Sequence, residues 1–234
     1  MTNTKFIQSG VATQIPEPPF ARFLFADTRM AWFWLIVRVY VGWQWLVAGT
    51  DKLTGYSIDP GTFGKHVGNS WIFTSHPGAA LSGFLSSALT KTASSSGNPA
   101  LGWYSWFVQQ VALPHAAGLS YVVTFGEIFI GLGLIFGVLT GIAAFFGMFM
   151  NMNFLLAGSV SINPIIGGLA LFLIMAWRIA GYYGGDRWLL PLLGTPWTGR
   201  LAGKQMPETE PTTMKTPPGD ATTTPPVGAT STVS

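Results

Sequence analysis

Between Lys91 and Arg178 the sequence contains a single charged residue, Glu127, and this residue stands in the apolar run from Gly118 to Leu139. An ionised carboxylate at that depth in a lipid bilayer is costly unless it is neutral or paired, and polar atoms buried without partners are similarly unfavourable. We therefore expect a membrane protein in which Glu127 faces the protein interior and belongs to a functional site.

The composition supports this class and excludes several chemistries. Only 9% of the 234 residues are charged, whereas soluble domains have about 25%. The chain has no cysteine, so disulfides, thiolate metal sites and iron–sulfur ligation are excluded. None of the three histidines has a second at helical metal-site spacing, so we expect no metal site and no covalently bound cofactor. The net charge of +3 forms no basic stripe, and we expect no nucleic-acid partner.

Apolar runs of about 20 residues are long enough to cross a bilayer as helices. Four runs have this length, approximately Met30–Gly49, Leu119–Leu139, Gly141–Gly158 and Pro164–Tyr183. The sequence therefore predicts an all-α protein, an integral membrane four-helix bundle.

Lysine and arginine residues before the first run and after the fourth indicate that both termini are cytoplasmic. The predicted organisation is a cytoplasmic segment at 1–29, a membrane domain at 30–191, and a disordered tail rich in threonine and proline at 205–234. The connection at about 53–118, between the first two spans, is then an extracytoplasmic cap.

Two amphipathic or aromatic stretches, Pro77–Thr90 and Pro99–Val111, predict helices within this cap that lie at the membrane interface. Two roles are open for the cap. It either packs on the bundle as a fixed cover or acts as a lid that gates access of a substrate.

Two cations, two glycines and a tryptophan share one face of the first predicted span. They are spaced at i, i+4, i+7, i+11 and i+14, namely Arg38, Gly42, Trp45, Gly49 and Lys52. Counting residues from the predicted outer ends of the helices, with a rise of about 1.5 Å each, places Arg38 and Glu127 within reach of each other. We expect an Arg38–Glu127 ion pair, which either fixes helix register or takes part in catalysis.

Two segments, Arg38–Leu53 and Glu127–Gly137, resemble the first and second helices of the DoxX family of membrane proteins. Four others resemble its DoxD-type branch, namely Asn151–Pro164, Trp177–Arg187, Asn98–Tyr104 and Leu113–His115. That branch is the membrane subunit of thiosulfate:quinone oxidoreductase. The resemblance implies a prokaryotic plasma-membrane protein that helps to pass electrons from thiosulfate to quinone in the bilayer, with a second protein subunit as partner.

The resemblance and the residue types together give a candidate site. Glu127 and Arg38 are the candidate catalytic residues, and the candidate substrate- and quinone-binding residues are Lys52, Gln44, Trp45, Asn151 and Asn153. Arg38 and Lys52 would attract a sulfur oxyanion, whereas Glu127 and the two asparagines would bind quinone or take up its protons.

Two other functions fit the same sequence. The chain is alternatively a non-catalytic accessory subunit of a larger respiratory or photosynthetic complex, in which its ten tryptophans and glycine-rich faces contact protein, lipid or quinone. A small anion carrier is less favoured, because the four spans show no inverted repeat of the kind transporters use.

Overall fold

A computed structural model describes residues 18–94 and 102–193, and within these ranges the secondary structure is helical. The predicted tail at 205–234 and most of the predicted N-terminal segment at 1–29 lie outside the described residues. The all-α prediction is confirmed for the described part of the chain.

The helices in chain order are α1 (Pro19–Ala26), α2 (Ala31–Thr54), α3 (Ala79–Ser94), α4 (Gly102–Phe107), α5 (Ala116–Phe136), α6 (Thr140–Leu156), α7 (Asn163–Met175), α8 (Trp177–Ala180) and α9 (Asp186–Leu192). A 3-10 turn at Thr28–Met30 precedes α2, and a π-helical turn at Val108–Ala112 extends α4. The four predicted spans correspond to α2, α5, α6, and α7 continued by α8.

Two of the described helical stretches are long and apolar enough to cross a membrane. They are Thr28–Thr54, with 27 residues, and Ala116–Phe136, with 21. Helix α6 has 17 residues and α7 has 13, which is below the length of about 20 that a perpendicular span requires. The structure therefore supports two of the four predicted spans by length, and the four-helix membrane bundle stays a prediction.

Helix α2 lies along α5, and glycines allow the two backbones to come close. A Cβ atom at Gly42 would lie 2.9 Å from the Gly131 carbonyl oxygen, and one at Gly49 would lie 2.9 Å from the Ile128 nitrogen. Small residues permit this close approach between membrane helices. Helix α6 packs against α5 and α7, and the shared core includes Trp34, Val41, Trp45, Ile130, Leu134, Ala144, Ile166 and Leu173.

The described residues at 55–94 and 102–112, which we call the cap, pack on a second core. Helices α3 and α4 and the π-helical turn contact the first residues of α5 and the last of α6 through Leu81, Leu85, Ala88, Tyr104, Val108, Ala112, Ala116 and Ala157. Both predicted cap stretches therefore contain helix within the described residues, and their position at the membrane interface stays a prediction. Gly55 ends α2 at a positive φ of 82°, a conformation that favours glycine, and turns the chain into the cap.

Candidate functional site

Glu127 lies inside the protein, as the sequence predicts, but its partner is Lys52. The Glu127 side chain is 0% exposed, and its Oε2 atom accepts a hydrogen bond from Lys52 Nζ over 2.7 Å. Lys52 stands two residues before Thr54, the last residue of α2, and Glu127 lies in the middle of α5. This pair joins the two helices at the end of the bundle that the cap covers, here called the cap end.

The predicted Arg38–Glu127 ion pair is wrong. Gly49 lies level with Glu127, since a Cβ atom at Gly49 would be 3.1 Å from Glu127 Cβ. Arg38 is 11 residues from Gly49, or about 16 Å along the helix, whereas Lys52 is within one turn of it. The prediction assumed that α2 and α5 end at the same level, but α5 begins 11 residues before Glu127 and extends beyond the end of α2.

Arg38 instead lies at the opposite end of the bundle, where it has a structural role. Its Nη1 and Nη2 atoms donate to the carbonyl oxygens of Ala180 and Tyr183, over 3.2 and 3.4 Å. The guanidinium group packs against Gly137 and Gly184. Asp186 is buried close by and accepts hydrogen bonds from the backbone nitrogens at 139 and 140. Arg38 is therefore separated from the candidate site.

A cavity of about 380 Å³ lies beside the Lys52–Glu127 pair. Its lining includes Gln44, Trp45, Asp51, Lys52, Trp71, Phe84, Glu127, Asn151, Phe154 and Asn163. Five of the seven predicted site residues are thus together, and Arg38 and Asn153 are not among them.

Aromatic rings surround the ammonium group of Lys52. The Nζ atom lies 5.1 Å from the centroid of the Trp71 ring and 5.4 Å from that of Phe154, distances at which a cation is attracted to the ring face. The backbone nitrogen of Trp71 also donates a hydrogen bond to the Lys52 carbonyl oxygen over 2.8 Å. Lys52 is therefore the residue at which the cap, α2 and the cavity meet.

Four residues of the cavity lining have a buried side-chain polar atom with no hydrogen-bond partner among the described residues. These atoms are Glu127 Oε1, Asn151 Oδ1, Asp51 Oδ1 and Trp45 Nε1. Two of them lie against neighbouring helices, since a Cβ atom at Gly147 would be 3.2 Å from Trp45 Nε1 and one at Gly167 would be 2.8 Å from Asn151 Oδ1. Buried polar atoms are normally satisfied, so four such atoms around one cavity mark it as a candidate ligand site. The indole nitrogen is a donor and the three oxygens are acceptors.

The charges around the cavity disfavour a strongly anionic ligand. Asp51 and Glu127 contribute two carboxyl groups, whereas Lys52 contributes one ammonium group that already pairs with Glu127. The expected attraction of a sulfur oxyanion relied on two cations, Arg38 and Lys52. Only Lys52 lies at this cavity, because Arg38 is at the far end of the bundle. A neutral ligand with a polar head fits the charge balance better.

Asn153 faces away from the cavity and belongs to the attachment of the cap. Its side-chain nitrogen donates to the Phe149 carbonyl oxygen, and its own carbonyl oxygen accepts from the Tyr104 hydroxyl over 2.9 Å. Burial raises the pKa of Tyr104, which keeps the hydroxyl protonated as the donor of this bond.

Several lining residues were not predicted from the sequence. Asp51 is adjacent to Lys52, and Asn163 accepts a hydrogen bond from Asn151 Nδ2 at 3.5 Å, so both belonged to segments already singled out. The aromatic residues Trp71, Phe84 and Phe154 gave no such signal, because aromatic side chains are abundant throughout this chain.

Two helices of membrane-spanning length, joined by an ion pair with a cavity beside it, are consistent with a helical membrane protein. The DoxX family model matches residues 33–159, a range that includes Lys52, Glu127 and Asn151. The chain belongs to the DoxX family, which is a family of membrane proteins. Comparison with curated proteins gave no match, and neither did comparison with solved structures.

Proposed function

We propose that this DoxX protein is the quinone-binding membrane subunit of a thiosulfate:quinone oxidoreductase-type system. The proposal rests on the Lys52–Glu127 ion pair, which lines a cavity together with several other polar side chains. The DoxD-like segments supply the reaction type, and the cavity supplies a place for one of the two substrates.

A quinone head group matches the cavity in charge and hydrogen bonding. It is a neutral ring with two carbonyl oxygens, which can accept from the Lys52 ammonium group and from the Gln44 amide, both in the cavity lining. Its reduced form has hydroxyl groups that can donate to the side-chain oxygens of Gln44 and Asp51, which also line the cavity. Aromatic rings at Trp71 and Phe154 provide flat apolar surfaces for the ring.

The proposed reaction balances with quinone as the electron acceptor. Two thiosulfate ions join through a new sulfur–sulfur bond to form tetrathionate and release two electrons, and the quinone takes up these electrons and two protons to become the quinol. Lys52 stabilises negative charge that develops on a quinone oxygen. Glu127 serves as the proton relay, because it is the buried carboxyl group at the cavity.

Thiosulfate oxidation is assigned to a second subunit in this proposal. The dianion is disfavoured near Asp51 and Glu127, and Arg38 lies at the other end of the bundle. Electrons therefore reach the quinone from a partner protein that contacts the cap end.

The test is thiosulfate-dependent quinone reduction by the tagged full chain, purified with its partners from native membranes in mild detergent. We expect Glu127→Gln to abolish turnover in a folded protein, because the amide cannot relay protons. Asp59→Asn is the matched control, since this cap carboxylate lies outside the cavity lining, and it should retain activity.

Unchanged turnover in Glu127→Gln would refute the role of Glu127. Co-purification with a large electron-transfer complex that lacks thiosulfate activity would refute the oxidoreductase assignment and make the chain an accessory subunit.

A further inference from the structure

A second cavity, of about 210 Å³, lies between the cap and the helices α5 and α6. Its lining is almost entirely apolar and includes Leu81, Leu85, Phe107, Ala112, Leu119, Val122, Val123, Phe149 and Met150. We call it the apolar cavity, and the one beside Lys52 the polar cavity.

The polar groups that reach the apolar cavity are already satisfied by protein. The Tyr104 hydroxyl donates to the Asn153 carbonyl oxygen, and the Asn153 amide donates to the Phe149 carbonyl oxygen. Apolar cavities of about 150 Å³ stay dry and bind hydrocarbon ligands. The apolar cavity is therefore suited to hydrocarbon, in contrast to the polar cavity with its unpartnered atoms.

The two cavities are neighbours with a common wall. Phe84 of the cap and Phe154 of α6 line both of them. The two rings meet edge to face, with centroids 6.1 Å apart, and Phe154 also contacts the Lys52 ammonium group. A ligand that passes this aromatic pair would have one part at Lys52 and another in hydrocarbon surroundings.

The apolar cavity also reaches the outer surface of the helices. Val122 on α5 is 66% exposed and Phe149 on α6 is 61% exposed, and both line the cavity. Since α5 is one of the two described helices of membrane-spanning length, we expect this surface to face lipid. A chain from the bilayer can enter here sideways.

We propose that the apolar cavity holds the hydrocarbon tail of the quinone whose head group binds at Lys52 and Glu127. This inference rests on the proposed function and adds to it a tail site, an entry route at Val122 and Phe149, and an aromatic gate formed by Phe84 and Phe154. The site thereby selects tailed quinones over soluble quinone-like molecules.

The experiment measures equilibrium binding of two benzoquinones to the purified full chain in lipid nanodiscs. One carries a decyl tail, and the other has the same head group without a tail. The cavity-filling variant is Val123→Phe, and the matched control is Val39→Phe, the same substitution at an exposed position of α2 outside the lining of either cavity. Partition of each compound into the bilayer cancels when variant and wild type are compared for that compound.

Val123→Phe should weaken binding of the decyl compound about tenfold, equivalent to about 1.4 kcal/mol and typical of forced overpacking. Binding of the tailless compound should stay within about twofold, because its head group does not reach Val123. Val39→Phe should change neither. Leu119→Phe, a second filling variant in the same cavity, gives the same test if Val123→Phe does not fold.

Equal binding of the decyl compound to wild type and both filling variants would overturn the tail site while leaving the head-group site intact. Loss of a co-purified phospholipid from the filling variants, with quinone binding unchanged, would overturn it too and assign the cavity to a lipid chain. Absence of binding by both compounds to the wild type would overturn the proposed function and the tail site together.

Discussion

At the scale of single residues, the Lys52–Glu127 pair is the strongest constraint on this molecule. Glu127 is fully buried and Lys52 retains 17% side-chain exposure, so the carboxylate depends on the lysine far more than the lysine depends on the carboxylate. An unpaired charge in such surroundings is costly, whereas a pair removed as a whole is often replaced at little cost. Lys52 is thus structurally required as long as Glu127 is present, and the pair is also a candidate functional group.

We predict that Lys52→Met lowers the free energy of unfolding by about 3 to 5 kcal/mol, because it leaves a buried carboxyl group without its cation. The double variant Lys52→Met with Glu127→Gln should recover a large part of this loss. Thermal unfolding in detergent, followed by circular dichroism, provides the measurement. Lys65→Met, at an exposed cap lysine, is the control and should be neutral. A double variant no more stable than Lys52→Met would show that the two side chains are not coupled.

The sequence was sufficient to identify Glu127 but not its partner. Its isolation among apolar residues indicated burial, and the spacing of Arg38, Gly42, Trp45, Gly49 and Lys52 correctly predicted one inward face of α2. Two cations lie on that face, separated by 14 residues. Choosing between them required the relative level of α2 and α5, which depends on backbone contacts between helices distant in sequence.

At the scale of helices, close contacts at glycines set the relative level of α2 and α5. Gly131 of α5 lies against α2, so that a Cβ atom there would be 2.7 Å from the Leu46 nitrogen. Gly49 brings α2 against Ile128, one residue from Glu127. Because Gly49 and Lys52 are one turn apart, this contact places the ammonium group beside the carboxylate.

We predict that Gly49→Ala destabilises the protein by about 1 to 3 kcal/mol, the usual cost of overpacking. The added methyl group would lie 2.7 Å from Ile128 Cγ1 and 2.9 Å from the Ile128 nitrogen, and the backbone contact can be relieved only by separating the helices. Gly83→Ala is the matched control, since nothing lies within 4 Å of a Cβ atom at this position of α3. The control should be neutral or stabilising by up to about 1 kcal/mol, as alanine favours a helix.

Thermal unfolding of both variants measures these effects, and quinone binding reports on the ion pair in the same samples. If Gly49→Ala were as stable as Gly83→Ala, the close approach of α2 and α5 would not set the position of Lys52.

Helix positions were largely predictable, and their ends were not. Apolar runs gave α2, α5, α6 and α7, but α2 continues five residues beyond the predicted end at Gly49, through Asp51 and Lys52, to Thr54. Charged residues at a helix end are compatible with helix, and the chain leaves α2 only where Gly55 adopts a positive φ. The cap helices were predicted from amphipathic and aromatic patterns, whereas their contacts with α5 and α6 required the folded structure.

At the scale of the whole molecule, the chain brings distant segments together at two opposite ends. At the cap end, Lys52 shares a cavity with Asn163, at the start of α7. At the other end, Arg38 contacts Gly137, after α5, and the carbonyl oxygen of Ala180. These contacts favour four passes between the ends, although α6 and α7 are short for a bilayer.

The absence of cysteine from the sequence makes the membrane topology directly testable. We predict that single cysteines at Asp59, in the cap, and Val160, between α6 and α7, react with an impermeant maleimide added outside intact cells. Single cysteines at Thr28, before α2, and Val138, between α5 and α6, should react only after the membrane is opened, and a permeant maleimide should label all four as the control.

Val160 decides between the possible topologies. Helix α6, with 17 residues, spans about 26 Å, and α7, with 13 residues, spans about 20 Å, against roughly 30 Å of hydrocarbon. Ser159 and Asn163 nevertheless line the cavity that contains Lys52, so the connection near Val160 should lie on the side of the cap, with the bilayer thinned around the two shorter helices. Labelling of Val160 from the same side as Val138 would show that α6 does not cross, and the protein would then have the two spans that helix length alone supports.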